Sequence, residues 1–263
     1  MSNPYLPPEM LDHTVDLLHD DPATLRRCCL VAKPWIPRTR KYLFANMVFR
    51  NIKDVQLWKK IFPDPANSPA GYAKTLYIGS HIVADPEVDS WIRGFSHVEH
   101  LKVYSHGQRL FPGGLSPFAP FHGFSPVIKS LTVVFAVLPP SCIFDLIISF
   151  PLIKNLGVVV QERYAYDDDG SREDEMPIAT QTSSPPTLTG SLILNLINGM
   201  GPLARRLLSL PGGIHCRNLT LAWAHDEDRL AAMALVEECS HTLEILDITC
   251  YLYGTSSLHL CPH

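Results

Sequence analysis

The chain has 263 residues, a formal net charge of −4 and 46% hydrophobic residues, a composition that fits one or two ordinary globular domains. The acidic balance disfavours a dedicated nucleic-acid binder, whose surface is usually basic. The most apolar stretch, 143–160, is broken by Asp145, Pro151 and Lys154. No membrane span is therefore expected, since one needs about 18 consecutive apolar residues.

In chain order, residues 6–49 read as three short helices. Pro7-Pro8 opens the first, because proline suits a first helical turn. Its apolar positions Met10, Leu11, Val15 and Leu18 form one stripe. Asp21 is placed to cap the second helix, with Pro22 at its first position. Leu25, Cys28, Cys29, Val31 and Ala32 follow. Pro34 is expected to end that helix, and Tyr42, Leu43 and Phe44 close the third. A unit of this size is marginal alone and needs a partner, or the rest of the chain, to cover its apolar face.

The order Leu6-Pro7-x-Glu9-Met10-Leu11, then Leu25-x-x-x-Cys29-Leu30-Val31-x-Lys33-x-Trp35, resembles an F-box motif. The resemblance covers residues 6–49, and Thr14 and Pro34 depart from the family pattern. It implies docking onto the Skp adaptor of a cullin–RING ubiquitin ligase. Carried over position by position, the adaptor-facing residues would be Leu6, Pro7, Met10, Leu11, Leu25, Cys29, Val31 and Trp35. Residues 26–41 also hold Arg26, Arg27, Lys33, Arg38, Arg40 and Lys41 and no acid. Such a patch is usually solvated surface, but it can also complement an acidic partner and speed encounter.

A repeat follows. Segments ending Leu-x-[Ile/Val/Leu] begin at Leu76, Leu101, Leu131, Leu156, Leu192, Leu219 and Leu246. Their spacings are 25, 30, 25, 36, 27 and 27 residues. Most lie in or near the period of roughly 20–29 residues found in leucine-rich repeats. The alternation is that of a strand with one buried face. Helical patterns lie between strands: Val88, Trp91, Ile92 and Phe95; Ile143, Phe144, Ile147 and Ile148; Leu203, Leu207, Leu208 and Leu210; Ala232, Leu235, Val236 and Cys239. Strand–helix alternation implies parallel strands with right-handed crossovers.

The expected class is thus α/β, with a helical unit over 1–50 and a repeat region over 51–263. The repeats resemble irregular leucine-rich repeats forming an arc. Together with the N-terminal motif, they resemble F-box proteins abundant in mushroom-forming fungi. A doubly wound α/β sheet is the alternative that spacing alone leaves open. Residues 105–126 read as a loop pinned to the scaffold by Phe111, Phe118, Phe121 and Phe124. Residues 161–190, with Asp167, Asp168, Asp169, Glu173, Asp174 and Glu175, read as an acidic disordered insertion. No amphipathic helix follows the last strand, so a C-terminal cap is not expected.

Signals for chemistry are sparse. Gly170 falls too early after Asp167-Asp168-Asp169 for a calcium loop. The tail His259-Leu260-Cys261-Pro262-His263 lacks the four ligands of a structural metal site. There is no Gly-x-Ser-x-Gly elbow and no P-loop. The expectation is a non-enzymatic protein without metal or cofactor. Its expected partners are the Skp adaptor and an unidentified protein target, with no nucleic acid and no membrane. Seven cysteines without a C-x-x-C pair, and no signal peptide before Pro8, point to reduced thiols in the cytoplasm or nucleus. A repeat scaffold for protein–protein interaction, without a ubiquitin link, is the competing expectation.

Overall fold

A computed structural model of the chain describes residues 7–31, 33–79, 82, 87, 91–104, 124, 127–135, 140–160, 186–196 and 200–251. Three helices lead: α1 (Pro8–Leu17), α2 (Pro22–Val31) and α3 (Ile36–Leu43), with a 3-10 turn over Lys33–Trp35. The expected signals act where they stand. Asp21 Oδ1 accepts from the Ala23 and Thr24 N–H groups at 3.0 Å each, supplying the cap of α2. Helix α2 ends before Pro34, which sits inside the 3-10 turn.

The strands are β1 (Asn46–Phe49), β2 (Thr75–Gly79), β3 (His100–Tyr104), β4 (Ser130–Phe135), β5 (Asn155–Val160), β6 (Ser191–Asn195), β7 (Asn218–Trp223) and β8 (Ile245–Cys250). Between them lie α4 (Ile52–Ile61), α5 (Pro140–Ile148), α6 (Met200–Leu208) and α7 (Asp226–Cys239). The result is mixed α/β, with one eight-stranded sheet whose strands lie in chain order. Every neighbouring pair is parallel. A doubly wound sheet reverses its strand order at a switch point; this sheet never does, which sets that alternative aside.

Register explains the repeat. Leu76, Leu101, Leu131, Leu156, Leu192, Leu219 and Leu246 face one another in sequence, each opposite the next. Ile78, Val103, Val133, Val158, Leu194, Leu221 and Ile248 form a second row two residues on. From β2 to β7 both rows are at most 1% exposed. A one-residue slip would turn every one of these side chains to the other face, so the pattern pins the pairing. The helices close the buried face: Ile143 and Ile147 of α5, Leu203 and Leu207 of α6, and Leu235 of α7 join the same cluster.

Strand entry repeats as well. The carbonyls of Ala45, Lys74, Glu99, Lys129, Gly190 and Arg217 each accept two consecutive N–H groups from the next unit, at 2.7–3.2 Å. Lys154 breaks the series, because its carbonyl takes only the Gly190 N–H. The next donor, Ser191 N–H, goes instead to Asn155 Oδ1 at 2.8 Å. The side chain thus satisfies a backbone group at the step with the longest sequence spacing.

Two elements were not foreseen from sequence. Strand β1 lies within residues 1–50, the stretch read as helical, and pairs Met47 with Leu76 and Phe49 with Ile78. Helix α4 follows at once, opened by a capping box in which Asn51 accepts from Asp54 N–H and Asp54 from Asn51 N–H. Together they complete the first unit of the sheet. An aromatic cluster then joins this unit to α3: Phe44, just past α3, meets Trp58 and Phe62 edge-on at 6.0 Å each. Phe49 meets Trp58 and Phe95, both at 5.7 Å.

Of the remaining expectations, the helical pattern of Val88, Trp91, Ile92 and Phe95 falls only in part on described residues, of which Trp91, Ile92 and Phe95 are buried. Phe124 is buried at 3% exposure, whereas Phe111, Phe118 and Phe121, residues 161–185 of the expected 161–190 insertion and the tail 252–263 lie outside the described residues; the last residues of that insertion are ordered, with Leu188 buried and bridged to Ile214. No helix of the described residues is long and apolar enough to cross a membrane.

The ladder predicts where truncation hurts. Leu131→Ala should cost about 2–5 kcal/mol of unfolding free energy, the range for a large-to-small change at a fully buried site. Thr132→Ala, on the opposite face of the same strand, should stay within about 0.5 kcal/mol. Urea denaturation followed by circular dichroism measures both.

Candidate functional site

Two surfaces stand out: the helical unit and the open face of the sheet. The helical unit is held by one carboxylate. Asp16 of α1 accepts from Arg38 Nε at 2.6 Å and Arg38 Nη2 at 2.5 Å, and from the Tyr42 hydroxyl at 2.7 Å, both on α3. These bonds, Arg38 first and then Tyr42, hold the Asp16 carboxyl well below the usual carboxylate range. The same pairing raises Arg38. With both side chains about a third exposed, solvent screens the pair, and its role is to orient α1 on α3.

A second tie joins α2 to α3. The buried Thr39 hydroxyl donates to the Trp35 carbonyl at 2.7 Å. Its one proton being so used, the Cys29 thiol, 2.9 Å away, donates to Thr39 Oγ1.

Within this frame the expected adaptor-facing residues separate. Leu6 lies outside the described residues. Pro7 is exposed at the start of α1, its carbonyl accepting from Met10 and Leu11 N–H. Met10 is 55% and Val31 71% exposed. Leu11, Cys29 and Trp35 are half-buried, and Leu25 at 1% exposure is a core residue of the unit. Leu25 therefore packs inward rather than lying on the surface, because it sits on the α2 face turned to the other helices. Two exposed residues were missed: Leu17 at 71% and Leu30 at 88%. Leu30 stood in the quoted motif, between Cys29 and Val31, and its neighbours alone were carried forward. Thr14, where the family pattern has an apolar residue, is exposed and bonds back to the Met10 carbonyl at 2.8 Å. Arg26, Arg27, Lys33, Arg40 and Lys41 are exposed on the same unit.

The open sheet face alternates with the buried ladder. Lys102 sits opposite Tyr77 on one side and Thr132 on the other. The rings of Tyr77 and Tyr104 lie 4.4 Å apart, and the Lys102 ammonium stands 5.1 Å from the Tyr77 ring centre. Burial pushes the Tyr104 phenol up to about 12, so it stays protonated at neutral pH. Along the strand entries Glu99 bridges Lys74 at 3.1 Å and Lys129 at 2.8 Å. Those bonds, Lys129 first, lower the Glu99 carboxyl to about 2.

Among the described residues no group of three His, Cys, Asp or Glu is placed to hold a metal ion. A groove on the helix layer is lined by Leu208, His215, Ala234, Glu237, Glu238 and His241. It is not at the carboxyl ends of the strands, where α/β enzymes place their sites. No family model matches the chain, and neither a curated protein nor a solved structure matches it.

Glu99 gives a pH prediction. Its carboxyl is lowered in the folded protein, so its contribution is present above the unfolded value of 4.5 and lost as pH falls towards about 2. Glu99→Gln should flatten the acid limb of the urea midpoint between those two pH values. Added 1 M salt should flatten it in the parent protein as well, since exposed pairs are screened.

Proposed function

We propose that the chain is a substrate-receptor subunit of a Skp–cullin–F-box ubiquitin ligase. In this reading the helical unit is the F-box, the sheet is an irregular leucine-rich-repeat arc, and the setting is intracellular. The observation that carries it is the exposure of Met10, Leu17, Leu30 and Val31 on a unit only some forty residues long. Large apolar side chains left exposed in this number on so short a unit favour an interaction surface. The unit is already fixed to the sheet through Phe44, so these residues are not needed to seal it.

A division of labour goes with this reading. Met10, Leu11, Val31 and Trp35 would be anchors in an apolar adaptor interface, where a few residues carry most of the binding energy. The exposed cations of residues 26–41 would raise the association rate with an acidic adaptor. The sheet would hold a target, and the whole would act by proximity, raising the effective concentration of target lysines near a ubiquitin conjugate. The chain itself would make and break no bond.

A plain repeat scaffold is the competing reading, favoured by the burial of Leu25, which one adaptor-facing position would need exposed. The two separate in a pull-down with the Skp adaptor. The proposal expects micromolar or tighter binding by the intact chain. Val31→Asp should weaken it at least about tenfold, with the circular dichroism spectrum unchanged, since Val31 is exposed. Absence of adaptor binding by the intact chain would overturn the proposal.

A further inference from the structure

From β1 to β7 the open-face positions of the strands carry a single permanently charged side chain, Lys102. Its immediate neighbours on that face carry no carboxylate: Tyr77 and Thr132 beside it, His100 and Tyr104 along the strand. Lys102 is half-buried and leans on the Tyr77 ring. Among the described residues no carboxylate pairs with it, whereas Lys59, Lys74 and Lys129 are each paired. A cation over an aromatic ring is stabilised but not neutralised.

Arg50 and Asp54, of opposite charge, both act at the Tyr104 phenol and partly offset one another there. At the strand entries Lys154 is exposed and carries no ion pair among the described residues. Beyond Lys102 the open face offers short hydroxyl groups at Thr132 and Thr220. These suit hydrogen bonds to an extended backbone lying across the strands.

We infer that the open sheet face docks an extended acidic segment of a protein partner, with one carboxylate seated on Lys102 beside the Tyr77 ring. The inference rests on the receptor reading and gives its target a chemistry. Tyrosine is among the residue types that dominate interface energies. The carboxylate would supply the counter-charge that the strands around Lys102 lack, the open-face carboxylate of Asp247 lying at the far edge on β8.

The test uses the full chain and fluorescence anisotropy at low ionic strength. The probes are a fluorescein-labelled peptide of alternating glutamate and valine, its lysine–valine counterpart, and a single-stranded oligonucleotide of equal length. The acidic peptide should bind and the basic one should not. Lys102→Gln and Tyr77→Ala should each weaken binding about tenfold, the loss of one good charge or stacking contact. Lys53→Gln, on exposed α4, should leave it unchanged. No binding of the acidic peptide, equal loss in the Lys53 variant, or tighter binding of the oligonucleotide would each overturn the inference. Adaptor capture reads the other surface. Its failure alone would sink the ligase reading, and failure of the peptide alone would sink only this one.

Discussion

Everything in this molecule depends on parallel strands meeting leucine to leucine. A single strand with one buried face is not stable, and neither is the helix behind it. Stacking in register lets each leucine be covered by the strands on both sides and by the helix layer beneath. Burying one such side chain is worth about 1.5–3 kcal/mol, and the chain repeats the gain at each step from β2 to β7. Each step depends only on its neighbours, so loops of very different length fit between strands without disturbing the register. The Asn155 bond to Ser191 N–H shows the accommodation at the widest spacing.

The two ends of the sheet differ, and that difference organises the surfaces. At β1 an aromatic cluster of Phe44, Phe49, Trp58, Phe62 and Phe95 ties the helical unit to the first strand and helix. At β8 the two ladder positions open to solvent, with Leu246 at 38% and Ile248 at 43% exposed. The helical unit is consequently a fixed handle and not a tethered one. In the receptor reading this rigidity matters, because proximity works only when the distance between the adaptor and the target is set.

Much of the fold was legible because its signal is redundant. Seven Leu-x-[Ile/Val/Leu] segments reinforce one another, and the Asp21 and Pro34 boundaries rest on local chemistry that tertiary packing does not override. Strand β1 was hidden because Asn46-Met47-Val48-Phe49 carries no leucine at the ladder position; Met47 and Phe49 do the same work with different side chains. Helix α4 had a readable start in Asn51 and Asp54, and Val55 and Trp58 on its buried side. The candidate site was less legible. Exposure of Leu30 and burial of Leu25 depend on which face of α2 meets α3, and periodicity alone does not say which. The Tyr77–Lys102–Tyr104 group depends on strand register, which brings together residues 27 positions apart.

Hydrogen exchange, read by mass spectrometry on the native chain, tests the nearest-neighbour ladder most directly. Amides of β3 to β7 should exchange together at the rate set by global unfolding, and those of β8 should exchange faster through local opening. Equal protection of β8 and β4 would contradict the account, as would a break in protection between two strands of the interior.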